Sequence, residues 1–180
     1  MKKIVLLVAV ISITLFSSCE GPQGIPGRNG YDGAPGQNGK DGLLSEVFET
    51  TISFNSGNSY SIVVSYPHTI YASDMILVYR LDNIINDVDV WKLLPQTYYF
   101  DDGTHDFSYD SDFTKFDVNI YMKGNNLGSI AEKYRLNQTF RIVILPGAFS
   151  AKSAKSVNFS DYNAVLKAYK IDDSHVKQLN

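Results

Sequence analysis

Sulfur and imidazole are scarce in this sequence. A single cysteine, Cys19, excludes an intrachain disulfide. The histidines His68, His105 and His175 are widely spaced, fall in no H-E-x-x-H pattern and have no second cysteine to share a metal with, so a zinc set is not expected. Basic charge is short as well: 16 Lys and Arg stand against 19 Asp and Glu, for a formal net charge of −3. That balance leaves no electrostatic footprint for nucleic acid or for an anionic surface. No G-x-S-x-G nucleophile elbow occurs. No apolar run reaches the roughly 20 residues that a membrane-spanning helix needs. The expectation from these absences is a chain with no cofactor, no nucleic-acid partner and no enzymatic activity.

What the sequence does have begins at its first residue. Met1-Lys2-Lys3 is a short positive region, and Ile4 to Phe16 is apolar apart from Ser12 and Thr14. Thirteen residues are too few to span a bilayer but fit the h-region of a secretory signal peptide, so residues 1–18 are read as one. The segment ends in Phe16-Ser17-Ser18-Cys19. These four residues resemble the lipobox of bacterial lipoproteins, with Phe16 where leucine is more usual and Ser18 where glycine or alanine is. The resemblance implies that Cys19 is the lipidated new N-terminus, with residues 19–20 as the attachment site. It also implies a partner, the membrane, and a location in the cell envelope as an outer-membrane lipoprotein, its facing left open. An ordinary signal peptide with a leftover thiol is the competing reading. Removal of Lys2 and Lys3 leaves 14 basic against 19 acidic residues, a mature net charge of −5.

Glycine then recurs at every third position: Gly21, Gly24, Gly27, Gly30, Gly33, Gly36, Gly39 and Gly42, with none out of register. Three extended chains wind round one another only where every third residue lacks a side chain, because the shared axis has no room for a Cβ. A flexible Gly/Pro linker, the alternative, needs glycine but not at a fixed period. The period predicts a collagen-like stalk over 21–42 and a homotrimer through it. At about 3.1 Å rise per residue such a rod would be roughly 65 to 70 Å long. Only Pro22, Pro26 and Pro35 occupy its X and Y positions as proline, so the triple helix is expected to depend on its neighbours. Three lipid anchors at one end and three heads at the other would raise the effective concentration.

Residues 43–180 hold only five of the thirteen glycines and read as one domain, the head. Its pattern is mostly of period two. Val47 to Phe54 and Tyr60 to Tyr66 flank the turn signal Asn55-Ser56-Gly57-Asn58, which predicts a hairpin. Met75 to Leu81 is apolar on both faces except at Arg80, as in a central strand. Val88 to Leu94 and Gln96 to Phe100 are divided at Pro95, which cannot donate to a ladder. Asp106 to Tyr109, Phe116 to Met122 and Thr139 to Leu145 complete the strands. Ser129 to Glu132 has capping-box spacing, and Ser160 is placed to cap a short C-terminal helix presenting Tyr162, Val165, Leu166 and Tyr169. The fold class expected is mostly β: an antiparallel β-sandwich head with a short C-terminal helix, preceded by the collagen-like extended stalk.

Trp91 to Pro95, Phe116 to Tyr121 and Phe140 to Ile144 make the head similar to the β-rich domains that follow G-x-y stalks in Bacteroidetes-type collagen-like lipoproteins. That resemblance implies no assigned activity and carries over no catalytic or binding residue.

Two constellations in the head bear on binding. The acidic run Asp101, Asp102, Asp106, Asp110 and Asp112 supplies the carboxylates that Ca²⁺ takes, although without EF-hand spacing, and solvated turns are the plainer account. Trp91, Tyr98, Tyr99 and Phe100 would suit a sugar-binding platform, against core packing of the half that strand alternation turns inward. Three functions follow: an envelope lipoprotein whose stalk presents a head for adhesion, assembly or other binding to an unknown protein or glycan; a surface carbohydrate-binding module; and a hydrolase with facing carboxylates.

Overall fold

The computed structural model describes residues 44–147 and 157–179. All the described residues belong to one compact unit, Gly39–Asn180. The signal peptide, Cys19 and the stalk glycines lie outside them.

The described residues of the head hold nine strands: β1 Glu46–Ile52, β2 Ser61–Ser65, β3 Met75–Ile85, β4 Val88–Leu93, β5 Gln96–Tyr99, β6 His105–Phe113, β7 Asp117–Gly124, β8 Gln138–Leu145 and β9 Lys177–Gln178. They form a five-stranded sheet in the order β4-β3-β8-β1-β9 and a four-stranded sheet in the order β2-β7-β6-β5. Every pairing is antiparallel except that of β1 with the two-residue β9, which is parallel. Among the described residues no helix is long and apolar enough to cross a membrane.

Alternation along the strands builds one core between the two sheets. Phe48, Ile52, Val78, Phe140 and Ile142 come from the first sheet, and Val64, Phe107, Tyr109, Val118 and Ile120 from the second. Phe54 packs edge-on against Phe140, with ring centroids 6.0 Å apart. Each fully buried side chain of this size stabilises the fold by about 1.5 to 3 kcal/mol relative to exposure. The five-stranded sheet also buries its other face. There Leu77, Tyr79, Val143 and Leu145 meet Tyr162 and Val165 of the helix Tyr162–Tyr169. This second layer is why β3 and β8 are apolar on both faces. The four-stranded sheet instead turns a polar face outward, on which Ser61 Oγ donates to Asn119 Oδ1 (2.7 Å) and Lys123 pairs with Asp110 (2.8 Å).

The expected β1–β2 hairpin is not formed. β1 pairs with β8 and β2 with β7, so the two strands belong to different sheets. The Asn55–Asn58 turn is a corner, not a hairpin loop. Asn55 caps the 3-10 turn Ser56–Asn58 by accepting the N–H groups of Gly57 and Asn58, and Ser59 and Tyr60 follow in the left-handed region (φ 54° and 55°). Two successive residues there swing the chain out of its first sheet. Hairpins between successive strands form elsewhere, at β3–β4, β5–β6 and β6–β7; the first turns through Asn86-Asp87, both left-handed (φ 51° and 62°), as a two-residue primed turn requires. Pro95 lies where the chain leaves the five-stranded sheet for the four-stranded one.

Both predicted caps move. Ser129 donates its hydroxyl to Asn126 O inside a 3-10 turn, so it caps nothing; the helical turn Glu132–Arg135 follows Ala131 without a side-chain cap. Asp161, not Ser160, caps the C-terminal helix by accepting the N–H of Ala164.

Arg80 points into the inter-sheet core and is 4% exposed. Its guanidinium donates to Gln96 Oε1 (2.9 Å), Gln138 Oε1 (2.9 Å), the Tyr98 hydroxyl (2.6 Å) and the Asp82 carboxylate, and lies 4.7 Å from the Tyr109 ring centroid. Asp82 is shared with Lys92 (2.6 Å). The group is thus filled by internal partners and holds β3, β5 and β8 together.

The head has two ends. At the N-terminal pole, β1 and β3 begin and β8 ends, with Glu46 opposite Ile144 and Met75 opposite Leu145. The β6–β7 turn joins this pole through Tyr66 N–H to Phe116 O and Ile70 N–H to Lys115 O, both 2.9 Å. The β3–β4 and β5–β6 turns lie at the other pole.

Candidate functional site

Where the C-terminal helix begins, its cover over the five-stranded sheet ends, and an open cleft of about 300 Å³ is left. Strand alternation sets its floor. Trp91 on β4 and Arg141 on β8 project to the face opposite the core, beside Tyr162 at the start of the helix. The β3–β4 turn brings Asp87 and Asp89 to one rim; Asn163 and Asp173 form the other.

Arg141 is the fixed point of the cleft. Its Nε donates to Glu49 Oε2 (3.1 Å), and its Nη1 to Asp173 Oδ2 (2.7 Å) and to the Tyr162 hydroxyl (2.9 Å). Tyr162 in turn donates to Asp173 Oδ2 at 3.0 Å. Nη2 makes none of these bonds. The guanidinium carbon lies 4.3 Å from the Trp91 ring centroid, a cation–π contact. Burial works against the charge on Arg141, but the facing Tyr162 and Glu49 outweigh it and hold its pKa above the ordinary arginine value. Burial also raises the Tyr162 phenol, a shift that Arg141 only partly opposes. The hydroxyl therefore stays protonated at neutral pH and keeps its bond to Asp173.

Chemically, the cleft combines an indole with the carboxylates of Asp87 and Asp89, an amide and one arginine already neutralised by Glu49 and Asp173. It disfavours anions and suits a neutral polyhydroxylated or a cationic group: carboxylates accept from hydroxyls or ammonium, and an aromatic wall takes the apolar face.

The four aromatics weighed as a sugar platform against core packing are separated. Trp91 is in the cleft. Tyr98 is in the inter-sheet core, stacked on Phe107 at 4.5 Å between centroids. Tyr99 and Phe100 are exposed at the β5–β6 turn. The acidic run is dispersed too. Asp102 accepts from the Thr104 N–H (2.8 Å) and Oγ1 (2.6 Å), bonds that hold its carboxyl below the usual range. Asp101 shares that turn, Asp106 sits on β6, and Asp110 is bound to Lys123, while Asp112 lies further along β6. Among the described residues no three His, Cys, Asp or Glu side chains are grouped so as to hold a metal ion. His68 faces Glu46 at 3.8 Å, His105 lies against Tyr99 and His175 against Ser174.

Sequence reasoning missed Arg141, Tyr162 and Asp173 as a group, and no local signal marks them, since they come together from positions 32 residues apart. The Asn86-Asp87 turn that leads into the acidic rim was missed as well, although Asn and Asp tolerate the left-handed backbone such a turn needs. No known protein family, curated protein or solved structure matches this chain.

Proposed function

We propose that this chain is a cell-envelope lipoprotein, held at the outer membrane by lipid on Cys19. Its collagen-like stalk over residues 21–42 gathers three copies and presents their β-sandwich heads for adhesion, assembly or other binding. One observation carries the reading: the unbroken glycine register that begins two residues after Cys19. An ordinary linker has no use for the period, and a lipidated cysteine has no use for a disulfide. The role is recognition rather than catalysis. In the head it falls to the cleft walled by Trp91, where Arg141 and Asp173 are committed to each other and to Tyr162.

Membrane fractionation tests the anchor. Cys19→Ser should leave the protein soluble or unprocessed; a variant still cleaved at the same bond and still in the membrane fraction rules the lipid out.

A second reading, a carbohydrate-binding module on the same anchor, is favoured by the Trp91 indole lying between acceptor carboxylates and the Asn163 amide. Binding to a panel of glycans and matrix proteins separates the two. Glycan binding abolished by Trp91→Ala selects the module, and binding only to matrix protein selects adhesion.

A further inference from the structure

Large apolar side chains exposed at the N-terminal pole form a rim. Leu44 is 80% exposed, Tyr71 53%, Phe113 51% and Phe116 53%. Leu44 and Tyr71 line one shallow depression with Ile70 and Pro146, and the Ile70 N–H bond to Lys115 O ties that depression to the turn carrying Phe113 and Phe116. The carboxylates beside the rim already have local partners. Glu46 faces His68 at 3.8 Å, and Asp74 accepts the N–H groups of Tyr71 (2.9 Å) and Gly147 (3.2 Å). The Lys115 ammonium lies 4.8 Å from the Phe116 ring centroid.

Chain length says what approaches it. Gly42 closes the glycine register and β1 begins at Glu46. Four residues of extended chain span at most roughly 14 Å. If three chains share one axis up to Gly42, three copies of this pole must start within that distance of it. We infer that the pole is a homotrimer contact: the apolar rim of one head packs against the rims of two further copies of this chain. The inference rests on the stalk proposed above and adds to it a second, head-to-head interface.

The rim is small. A stable free-standing interface buries about 800 Å² per partner, more than a few half-exposed side chains supply. Tethering by a short linker, however, gives an effective concentration in about the millimolar range, enough to populate a contact of that weakness. The contact is therefore made with the stalk and lost without it. In return it clamps the end of a stalk that is poor in proline.

Cross-linking decides the matter, using the full mature chain from residue 19 carrying Cys19→Ser, which is free of thiols. Tyr71→Cys, Phe116→Cys or, at the opposite pole, Tyr99→Cys is added, each at a position more than half exposed and so tolerant of the change. In the cold, with oligomeric state followed by light scattering, a short bifunctional maleimide should link two of three copies through Tyr71→Cys and Phe116→Cys. The expected yield is at least tenfold above that of Tyr99→Cys. A trimer that cross-links no better at Tyr71→Cys and Phe116→Cys than at Tyr99→Cys overturns the head contact and leaves the stalk standing. A monomer by light scattering overturns both.

Discussion

Truncating Arg80 should cost the head about 2 to 6 kcal/mol, the loss expected when two buried polar groups are left unmet. Its guanidinium is 4% exposed and donates to Gln96, Gln138, Tyr98 and Asp82. Arg80→Ala removes these four bonds at once, with a longer one to Leu81 O (3.4 Å). Asp82 keeps Lys92 as a partner at 2.6 Å, so the loss is not that of an orphaned carboxylate. It comes from the oxygens of Gln96 and Gln138, which lose their charged donor inside the core. An unmet buried polar group costs about 1 to 3 kcal/mol. Asp82→Asn should also be damaging, because it leaves the guanidinium buried with no anion. The two changes should be less than additive, since each removes the same ion pair. Trp91 is the sole tryptophan and lies in the head, so its fluorescence during urea unfolding follows this unit alone. With a slope of about 2 kcal/mol per molar, the midpoint for Arg80→Ala should fall by roughly 2 M. A loss under about 1 kcal/mol, or strict additivity with Asp82→Asn, would refute the argument that the charge is held by this network.

Alkaline pH should unfold the head cooperatively. Burial raises the phenols of Tyr66, Tyr79, Tyr109 and Tyr162 above their ordinary value of 10.0. A raised folded-state pKa gives stability that is complete below about pH 10 and lost as pH climbs through the folded value. Phenolate absorbance from these residues should therefore rise together with the change in Trp91 fluorescence, and gradual titration near pH 10 with fluorescence unchanged would contradict it. Gly124→Ala should cost about 1 to 3 kcal/mol, as overpacking does, because a Cβ there would sit 2.8 Å from Asp106 O and 2.9 Å from Leu127 Cδ2; an unchanged urea midpoint would mean that the loop yields freely. Asp161→Ala should cost about 1 kcal/mol through loss of the helix cap, also read by urea, while Ser160→Ala should be neutral. Gly30→Ala, by placing three methyl groups on a shared axis, should lower or abolish a low-temperature polyproline-type circular dichroism signal in the mature chain; a flexible linker would be unaffected.

Strand existence was legible and strand pairing was not, for one reason. Period-two burial is written locally, so Phe48, Ile52 and Phe54 or Val118, Ile120 and Met122 mark their own core face. Pairing is decided by partners such as Phe48 and Ile142, which lie 94 positions apart. The turn at Asn55 looked like a hairpin because its composition is that of one. Left-handed backbone at Ser59 and Tyr60, residues that do not advertise it, made it a corner. Arg80 stood out as the one charge in an apolar strand, yet only the meeting of Gln96 and Gln138 around it explains why it is buried. The cleft was less legible still. Trp91 was noticed, but in the company of Tyr98 and Tyr99, its near neighbours in sequence, which alternation and the change of sheet at Pro95 send elsewhere.

Arg141 ties three separate stretches of chain: Glu49 on β1, Tyr162 on the helix and Asp173 beyond it. The cleft therefore exists only while the C-terminal segment is docked. β9 and the Leu179 N–H to Glu49 O bond (2.7 Å) hold the far end of that segment against β1. A ligand bridging Trp91 and Asn163 would add to this docking, because it binds the docked arrangement and not the open one. It follows that Arg141→Ala is a poor probe of binding: it loosens the segment and loses the site together. The discriminating variants keep Arg141 and change groups that hold nothing else in place, such as Asp89→Asn on the exposed rim. If the cleft recognises its ligand through acceptor carboxylates, Asp89→Asn should weaken binding several-fold and leave the urea midpoint where it was. Equal binding by the variant would show that recognition does not run through this carboxylate.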